Sequence, residues 1–496
     1  TNTLNFVQTF NDIHSLSGVA GFELYDGVYS AFNQTGYDLD PFMMDSPAGI
    51  GDKTGASDNP PTIGGSKTHS NLMSFFTQWN YTLKDRYNFS ASVRYDESSK
   101  FIGSNKGAAF WSVGAAWDIS KEDFMSRFEK INQLKVRASY GTTGNQDGIS
   151  DFGTFNGYSK TSYNGISGYY HSVLGNADLK WETSEQFDLG ADLRMFDSRL
   201  NVSADFYIKN TRDLLMDKKI SQTSGFSEIK TNAGSIRNTG IELSISGTPI
   251  RTADFEWNIG ANITYNKNQI TDLGTWANED NKFVNGDYLY EVGKPLGTWY
   301  MVEWAGVNPE TGEVWFYDQK GGKTEDISQA PFVDKFKSSE VPVFGFDTNL
   351  TYKGISLSAS FTYALNYYIM NATRWYVDNH NFNGNKPAYM LNMWRKPGDI
   401  TTVPRFDTQN NPSPWASQFL EDASFLRLKT LRLSWTPSHK LLEKQKLFQS
   451  ISLFCQGENL FTVTGYSGMD PEVSGDTDYM SYPTPISVTF GVNINF

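Results

Sequence analysis

A single cysteine in 496 residues, Cys455, leaves no internal disulfide and no multi-cysteine metal site to build with. It falls in the run Ile451-Ser452-Leu453-Phe454-Cys455, where a packed thiol is the expected role. The five histidines, His14, His69, His171, His380 and His439, are scattered, with no pair at metal-ligand spacing. No Gly-x-Ser-x-Gly elbow and no phosphate-cradling loop occurs, and Gly64-Gly65-Ser66-Lys67 is a lone linker-like fragment. No enzymatic constellation and no cofactor is therefore expected. Long apolar runs are also missing. No window approaches the roughly 18 consecutive apolar residues of a membrane helix, which excludes a helical membrane protein but leaves a β-barrel open. Positive charge is in deficit, 42 Lys and Arg against 55 Asp and Glu, and the net charge of −13 argues against a nucleic-acid partner. Thr1-Asn2-Thr3 has neither a basic nor an apolar leader character, so an exported protein of this sequence is expected to have its true start elsewhere, or to have lost it.

Glycine and aromatic residues are plentiful instead: 43 Gly against 18 Pro, with 15% Phe, Trp and Tyr, a composition suited to long sheets. The last residues alternate strictly. Ile486, Val488, Phe490, Val492, Ile494 and Phe496 fall on one face of a strand, and Ser487, Thr489, Gly491, Asn493 and Asn495 on the other. Either a soluble sandwich with its core on the apolar side or a transmembrane barrel with lipid there would produce such a strand.

Repetition separates the two. Strands are predicted at 1–10 and 13–24 around Asn11-Asp12, then at 73–95 as a hairpin turning at Lys84-Asp85. The same alternation recurs in Trp111/Val113/Ala115/Trp117, Leu134/Val136/Ala138/Tyr140, Phe187/Leu189/Ala191/Leu193, Leu200/Val202/Ala204/Phe206/Ile208, Ile241/Leu243/Ile245 and Trp257/Ile259/Ala261/Ile263. Further strands are predicted at 344–352, 355–363, 425–435 and 451–460. In 425–435 the apolar phase slips near Thr430, by a bulge or by a change of surroundings. The total is about fifteen, nearly all antiparallel neighbours. Connections alternate between short and long. The long ones lie near 26–68, 96–107, 143–180, 214–230, 269–340, 367–417 and 461–483, and the intermediate 120–130 and 437–446 each have room for a helical turn. A sandwich has no reason to gather every long loop at one end, whereas outer-membrane barrels do so, with short periplasmic turns and long outer loops. Tyr81, Tyr87, Trp111, Trp117, Trp257 and Tyr265 sit where two interfacial girdles would lie. The fold class is an all-β transmembrane antiparallel barrel.

Several segments then resemble signatures of the SusC/RagA family of TonB-dependent outer-membrane transporters. These are Lys135-Val-Arg-Ala-Ser-Tyr-Gly-Thr-Thr-Gly-Asn145, Lys180-Trp-Glu-Thr183, Arg199-Leu-Asn-Val-Ser-Ala-Asp-Phe-Tyr207, Thr211-Arg-Asp-Leu-Leu215, Asn238-Thr-Gly-Ile-Glu-Leu243, Ser424-Phe-Leu-Arg-Leu-Lys429, Gly457-Glu-Asn-Leu-Phe461, Gly468-Met-Asp-Pro-Glu472 and the terminal Phe496. They occur in the family's order across most of 130–496. The resemblance implies a barrel of about 22 strands from Bacteroidetes, lying in the lipid bilayer of the outer membrane. It also implies a SusD-like surface lipoprotein as lid, TonB acting through a plug, and oligosaccharide or peptide as cargo. Nothing in the chain resembles the plug or a TonB box, so residues 1–496 look like the C-terminal part of such a barrel. A structural or assembly role in a larger outer-membrane complex is the alternative. By parity, fifteen strands put Thr1 on the outer side and leave two unpaired edges. If about 22 strands hold, roughly seven are expected from a longer natural chain or a second polypeptide.

Within this frame Asp188, Asp192, Arg194, Asp205, Lys209 and Glu242 occupy polar strand faces and are expected to face the lumen. They would either hydrate and pair there or touch plug and cargo. The loop aromatics Trp276, Trp299, Tyr300, Trp375, Tyr376, Trp394 and Trp415 are candidates to stack on sugars or grip peptide side chains, with packing inside the loops as the plainer role. Asn308-Pro-Glu-Thr-Gly-Glu313 superficially suggests a calcium loop. It lacks the full ligand series and reads better as a hairpin turn.

Overall fold

The structure, a computed structural model, describes all residues except 52–58, 278–279, 337–340, 383, 407–415, 439–447 and 496. Fifteen strands form one sheet in which each lies beside its neighbours in sequence. They are β1 (Asn2–Phe10), β2 (His14–Thr35), β3 (Thr62–Leu83), β4 (Tyr87–Ser98), β5 (Gly107–Asp118), β6 (Ile131–Asn145), β7 (Glu182–Met195), β8 (Leu200–Arg212), β9 (Ser235–Arg251), β10 (Phe255–Asp272), β11 (Val343–Tyr352), β12 (Ile355–Ala364), β13 (Phe425–Trp435), β14 (Ser450–Thr464) and β15 (Ser487–Asn495). Every pairing in this sheet is antiparallel. As the alternation predicts, one face of the sheet is apolar and open: Phe75, Val93, Val113, Leu189, Ile241, Phe346, Leu433, Val488 and Phe490 are all exposed. Such a continuous apolar belt is stable against lipid and not against water.

All the long connections leave the same end of the sheet. At the other end the chain reverses tightly, with left-handed backbone at Asn11 and Asp12 (φ 50° and 55°), Lys84 and Asp85 (52° and 54°), and Lys353 and Gly354 (48° and 84°). Positive φ at consecutive turn residues matches the twist of the flanking strands, and Asn, Asp and Gly bear it at little cost. Residues 119–130 hold two 3-10 turns, Ile119–Lys121 and Asp123–Arg127, as their intermediate length suggests. Most of 437–446, where a helical turn was also expected, lies outside the described residues. The Tyr87 and Trp117 rings stack at 6.3 Å near the short-turn end, and both donate hydrogen bonds to Glu122. Trp111, against Tyr140, lies six residues further along β5, about 20 Å away at the usual strand rise.

Two details depart from or sharpen the sequence reading. The stretch 26–68, expected to be loop, is strand for much of its length. β2 and β3 stay paired from Tyr25↔Leu72 to Thr35↔Thr62, a ribbon standing beyond both neighbouring strands. Both of its faces are largely exposed, so Gly, Ser and Asp intersperse with Val28, Tyr29 and Phe32, and no one-sided alternation marks it. The phase slip in β13 is a bulge: Leu428 pairs with Phe361 and Phe461, Thr430 with Ser360 and Glu458, and Lys429 is the extra residue.

The buried apolar clusters lie in the loop layer rather than between the strands. Trp299, Met301, Met370, Phe419 and Leu420 form one, and Val302, Val314, Phe316, Ala330 and Ala416 a second. Phe101, Phe110, Ile149, Leu179 and Trp181 form a third where the loops meet the strand ends. Small sheets organise this layer, among them the hairpin Gly157–Tyr163 with Ile166–Val173 and the hairpin Trp304–Val307 with Val314–Tyr317. Asn308 to Glu313 closes the latter as a turn, with Gly312 at φ 76°.

Candidate functional site

The long-loop layer contains a cleft of about 840 Å³ between the short helix α1 (Ala372–Asp378), residues 387–403 and residues 467–483. Its floor is a braced polar network. Asn371 caps α1, accepting from the Arg374 amide at 2.9 Å, and donates to Ser467 Oγ at 3.2 Å. Arg374 holds Glu421 at 3.0 Å and Asp378 at 3.4 Å. Glu421 in turn accepts from the Ser467 amide and hydroxyl, and Tyr466 donates to Asp478 at 2.8 Å. Burial pushes the Asp378 carboxyl up from its ordinary value, against the pull of Tyr389 and Arg374. Burial opposes ionisation of Asp470 as well. Even so, the Glu472 and Thr484 amides and the Arg427 guanidinium hold its carboxyl at about 2. The walls differ from the floor. Tyr389, Met469, Met480 and Tyr482 line the cleft, with Met469 79% and Tyr482 90% exposed. Thioethers and aromatic rings on a fixed polar base make a surface for binding apolar and planar groups.

On the polar face of the sheet, Asp188, Asp192, Arg194, Asp205, Lys209 and Glu242 share one side by register. Arg137 on β6 ties three strands together there. Its guanidinium reaches Asp192 on β7 at 3.2 Å and Asp205 on β8 at 2.6 Å, while Ser203 donates to Asp192 at 2.8 Å. Gly190 makes the reach possible, because a Cβ there would stand 2.6 Å from the guanidinium carbon. Lys209, Glu242, Asp188, Tyr207 and Gln186 border a polar recess of about 460 Å³ beside this cluster. No group of His, Cys, Asp and Glu that could hold a metal ion occurs among the described residues.

The loop aromatics singled out from sequence are dispersed. Trp299 is 1% exposed in a core cluster, against which Trp375 packs. Trp394 donates to the Pro309 carbonyl at 2.8 Å and fills the space above Gly312. Tyr300 stacks on Phe332 and Trp276 contacts Phe283. Tyr376 packs on Phe382 and meets Tyr479 edge-on. Trp415 lies outside the described residues. The residues that do line the cleft, Tyr389, Met469, Met480 and Tyr482, were not picked out. The one available signal was the density of Met, Tyr and Pro in 466–485, a segment without periodicity.

The model of the TonB-dependent receptor-like β-barrel family matches residues 1–333. TonB-dependent receptor P39 of Formosa agariphila is 30% identical over the whole chain, which covers 52% of that protein. TonB-dependent receptor SusC of Bacteroides thetaiotaomicron is 28% identical over 86% of the chain and 44% of its own length. A solved structure of the RagAB peptide transporter superposes with a TM-score of 0.86 at 30% identity, covering 100% of this chain and 55% of the other. The chain thus spans about half the length of the relatives it matches. With the family model matching most of its length, and with SusC and RagAB among its relatives, the chain belongs to the TonB-dependent receptor-like β-barrel family of the outer membrane, in its SusC/RagA group.

Proposed function

We propose that this chain supplies the wall and the capture loops of an outer-membrane importer, and that the cleft between α1 and residues 467–483 takes peptide cargo. Residues 1–496 form the C-terminal part of the barrel in this reading. The loops near 26–68, 143–180, 269–340 and 367–417 point outward, and a plug from outside this chain is drawn on by TonB. The observation that carries the proposal is the TM-score of 0.86 to the RagAB peptide transporter over the full chain. The chemistry of the cleft favours peptide over oligosaccharide. Met469 and Met480 in its walls can repack around the varied apolar side chains that peptides carry and sugars lack. A SusD-like surface lipoprotein acts as lid. In its support, the hairpin Gly157–Tyr163 with Ile166–Val173 holds Tyr158, Tyr163, Ile166, Tyr169 and Tyr170 exposed, an apolar patch of the kind that a partner covers.

The test is equilibrium binding to the full-length protein co-purified with its lipoprotein partner. Fluorescent mixed-sequence peptides are expected to bind saturably, and Met480→Ala with Tyr482→Ala to weaken them about tenfold, roughly 1.4 kcal/mol. Oligosaccharides binding more tightly than peptides, with the double variant indifferent, would remove the peptide assignment.

A further inference from the structure

Two arms of the last long connection line the cleft, residues 467–469 and 480–483, and both end beside one carboxylate. Asp470 follows Met469 in the chain, and Thr484 follows Pro483. The Asp470 side chain accepts from the Thr484 amide at 2.9 Å and from the Glu472 amide at 2.9 Å, which closes the segment into a loop. Its other partner is Arg427 of β13, only 3% exposed. Register puts Arg427 opposite Thr362 and Thr462, on the polar face of the sheet. All three guanidinium nitrogens are engaged there. Nε donates to Thr462 Oγ1 at 2.9 Å, one Nη to Asp470, and the other to Glu472 at 2.7 Å. Lys429, the extra residue of the β13 bulge, reaches the same Glu472 at 2.6 Å. Tyr367 adds a bond to the Pro471 carbonyl at 2.5 Å. Two cations of the sheet thus hold two carboxylates of the loop. The contact joins two of the segments that resemble family signatures, Ser424 to Lys429 and Gly468 to Glu472.

Given the cargo role assigned to this cleft, we propose that Arg427 is a positioning residue for it, fixing the two arms from which Met469 and Tyr482 meet the peptide. Arg427 is not among the residues that line the cleft, and it acts through Asp470. Each arm is held at both ends. From the α1 side, Glu421 accepts from the Ser467 amide and Thr373 from the Met480 amide. Met469 and Tyr482 lie toward the opposite ends, where Asp470 and Arg427 make the tie. The pairing of Thr477–Asp478 with Met370–Asn371 fixes the middle of the segment and reaches neither arm. Side chains as exposed as Met469 and Tyr482 are placed by their backbone rather than by their own packing, so the bonds behind that backbone set the binding geometry. Without the guanidinium, Asp470 would be a buried carboxylate lacking its cation, and the loop would open toward water. The planar fork of arginine is what spans acceptors on a strand and on a loop at once.

Two measurements on the full-length protein test this. In the first, spin labels at Leu391 and Tyr482 in a Cys455→Ser background report the width of the cleft, without cargo, by double electron–electron resonance. One narrow distance distribution is expected with Arg427 present, and a broad one in Arg427→Gln and in Asp470→Asn. Asp470→Asn leaves the sheet untouched, and serves if Arg427→Gln does not fold. In the second, fluorescent mixed-sequence peptides are titrated onto protein co-purified with its lipoprotein partner. Arg427→Gln is expected to weaken them about tenfold, mainly through faster release. Added to Met480→Ala with Tyr482→Ala, it is expected to cost less than about twofold more, because the same wall is already lost. A residue that only stabilised the barrel would move neither the distribution nor this cycle in folded protein, and heat-modifiable migration confirms folding. A distribution that stays narrow in both variants overturns the positioning role. Broadening with unchanged peptide affinity overturns its link to cargo. Failure of the wild type to bind peptides would count against the peptide reading of the cleft, while the distance measurement still decides the clasp.

Discussion

At the scale of single residues, the wall depends on positions where a side chain is absent. Arg137 crosses β7 to Asp205 because Gly190 leaves the path clear, and Tyr207 lies over Gly240 in the same way, 2.3 Å from where a Cβ would be. Gly190→Ala is expected to push the guanidinium off Asp205. The expected cost is about 1 kcal/mol at most, the upper end for ion pairs whose members are 27–37% exposed. If the methyl acts through Arg137, adding Arg137→Ala to Gly190→Ala costs less than the sum of the two, measured by urea unfolding in lipid vesicles. A second residue-level device clasps the last long connection. Asp470 is held at about 2, below its ordinary 3.8, so its bonds to the Glu472 and Thr484 amides and Arg427 favour the folded loop. That stabilisation is complete above about pH 4 and is lost as pH falls through about 2, with a magnitude of roughly 2 kcal/mol. Protease cleavage within residues 465–486 should therefore rise between pH 4 and pH 2 in the wild type. In Asp470→Asn it should already be high at pH 7 and should not change across that window.

At the scale of elements, a period of two did most of the predictive work, and it served where one face met lipid and the other water. β8 and β12 follow their predicted positions closely for this reason, and the predicted stretches 241–245 and 257–263 lie inside the longer β9 and β10. It failed on the outer half of the β2–β3 ribbon, where both faces are largely exposed and nothing forces alternation. It also had no purchase on the cleft, since Met469, Met480 and Tyr482 come from a segment held by side-chain bonds to Asp470 and Asp478 and by a parallel pairing only two residues long, Thr477–Asp478 on Met370–Asn371. The face assignment itself is open to substitution. Arg at Val202, in the apolar belt of β8, is expected to cost about 2–4 kcal/mol and lower the folded fraction. Arg at Thr489, on the polar face of β15, is expected to leave it unchanged. Heat-modifiable gel migration reads both, and equal tolerance would contradict a lipid-facing belt. Ser203, which the strand pattern alone would treat as another tolerant polar position, is not one. Its hydroxyl donates to Asp192 beside Arg137, so a second cation there would repel the first.

At the scale of the whole molecule, parity and loop length predict the orientation in the membrane. Fifteen strands in sequence order put every long connection at one end, and the loop layer at that end holds the buried cores and the cleft. If that layer faces the medium, cargo is captured from outside and the short turns look into the periplasm. Labelling of intact cells that lack the lipoprotein partner, with a membrane-impermeant maleimide, tests this most directly, on full-length protein carrying Cys455→Ser and single cysteines at Tyr163, Tyr482, Asp85 or Asp197. The expected result is labelling at 163 and 482 in intact cells, and at 85 and 197 only after the outer membrane is permeabilised. Labelling of 85 and 197 in intact cells, with 163 and 482 protected until permeabilisation, would contradict the orientation and the importer built on it.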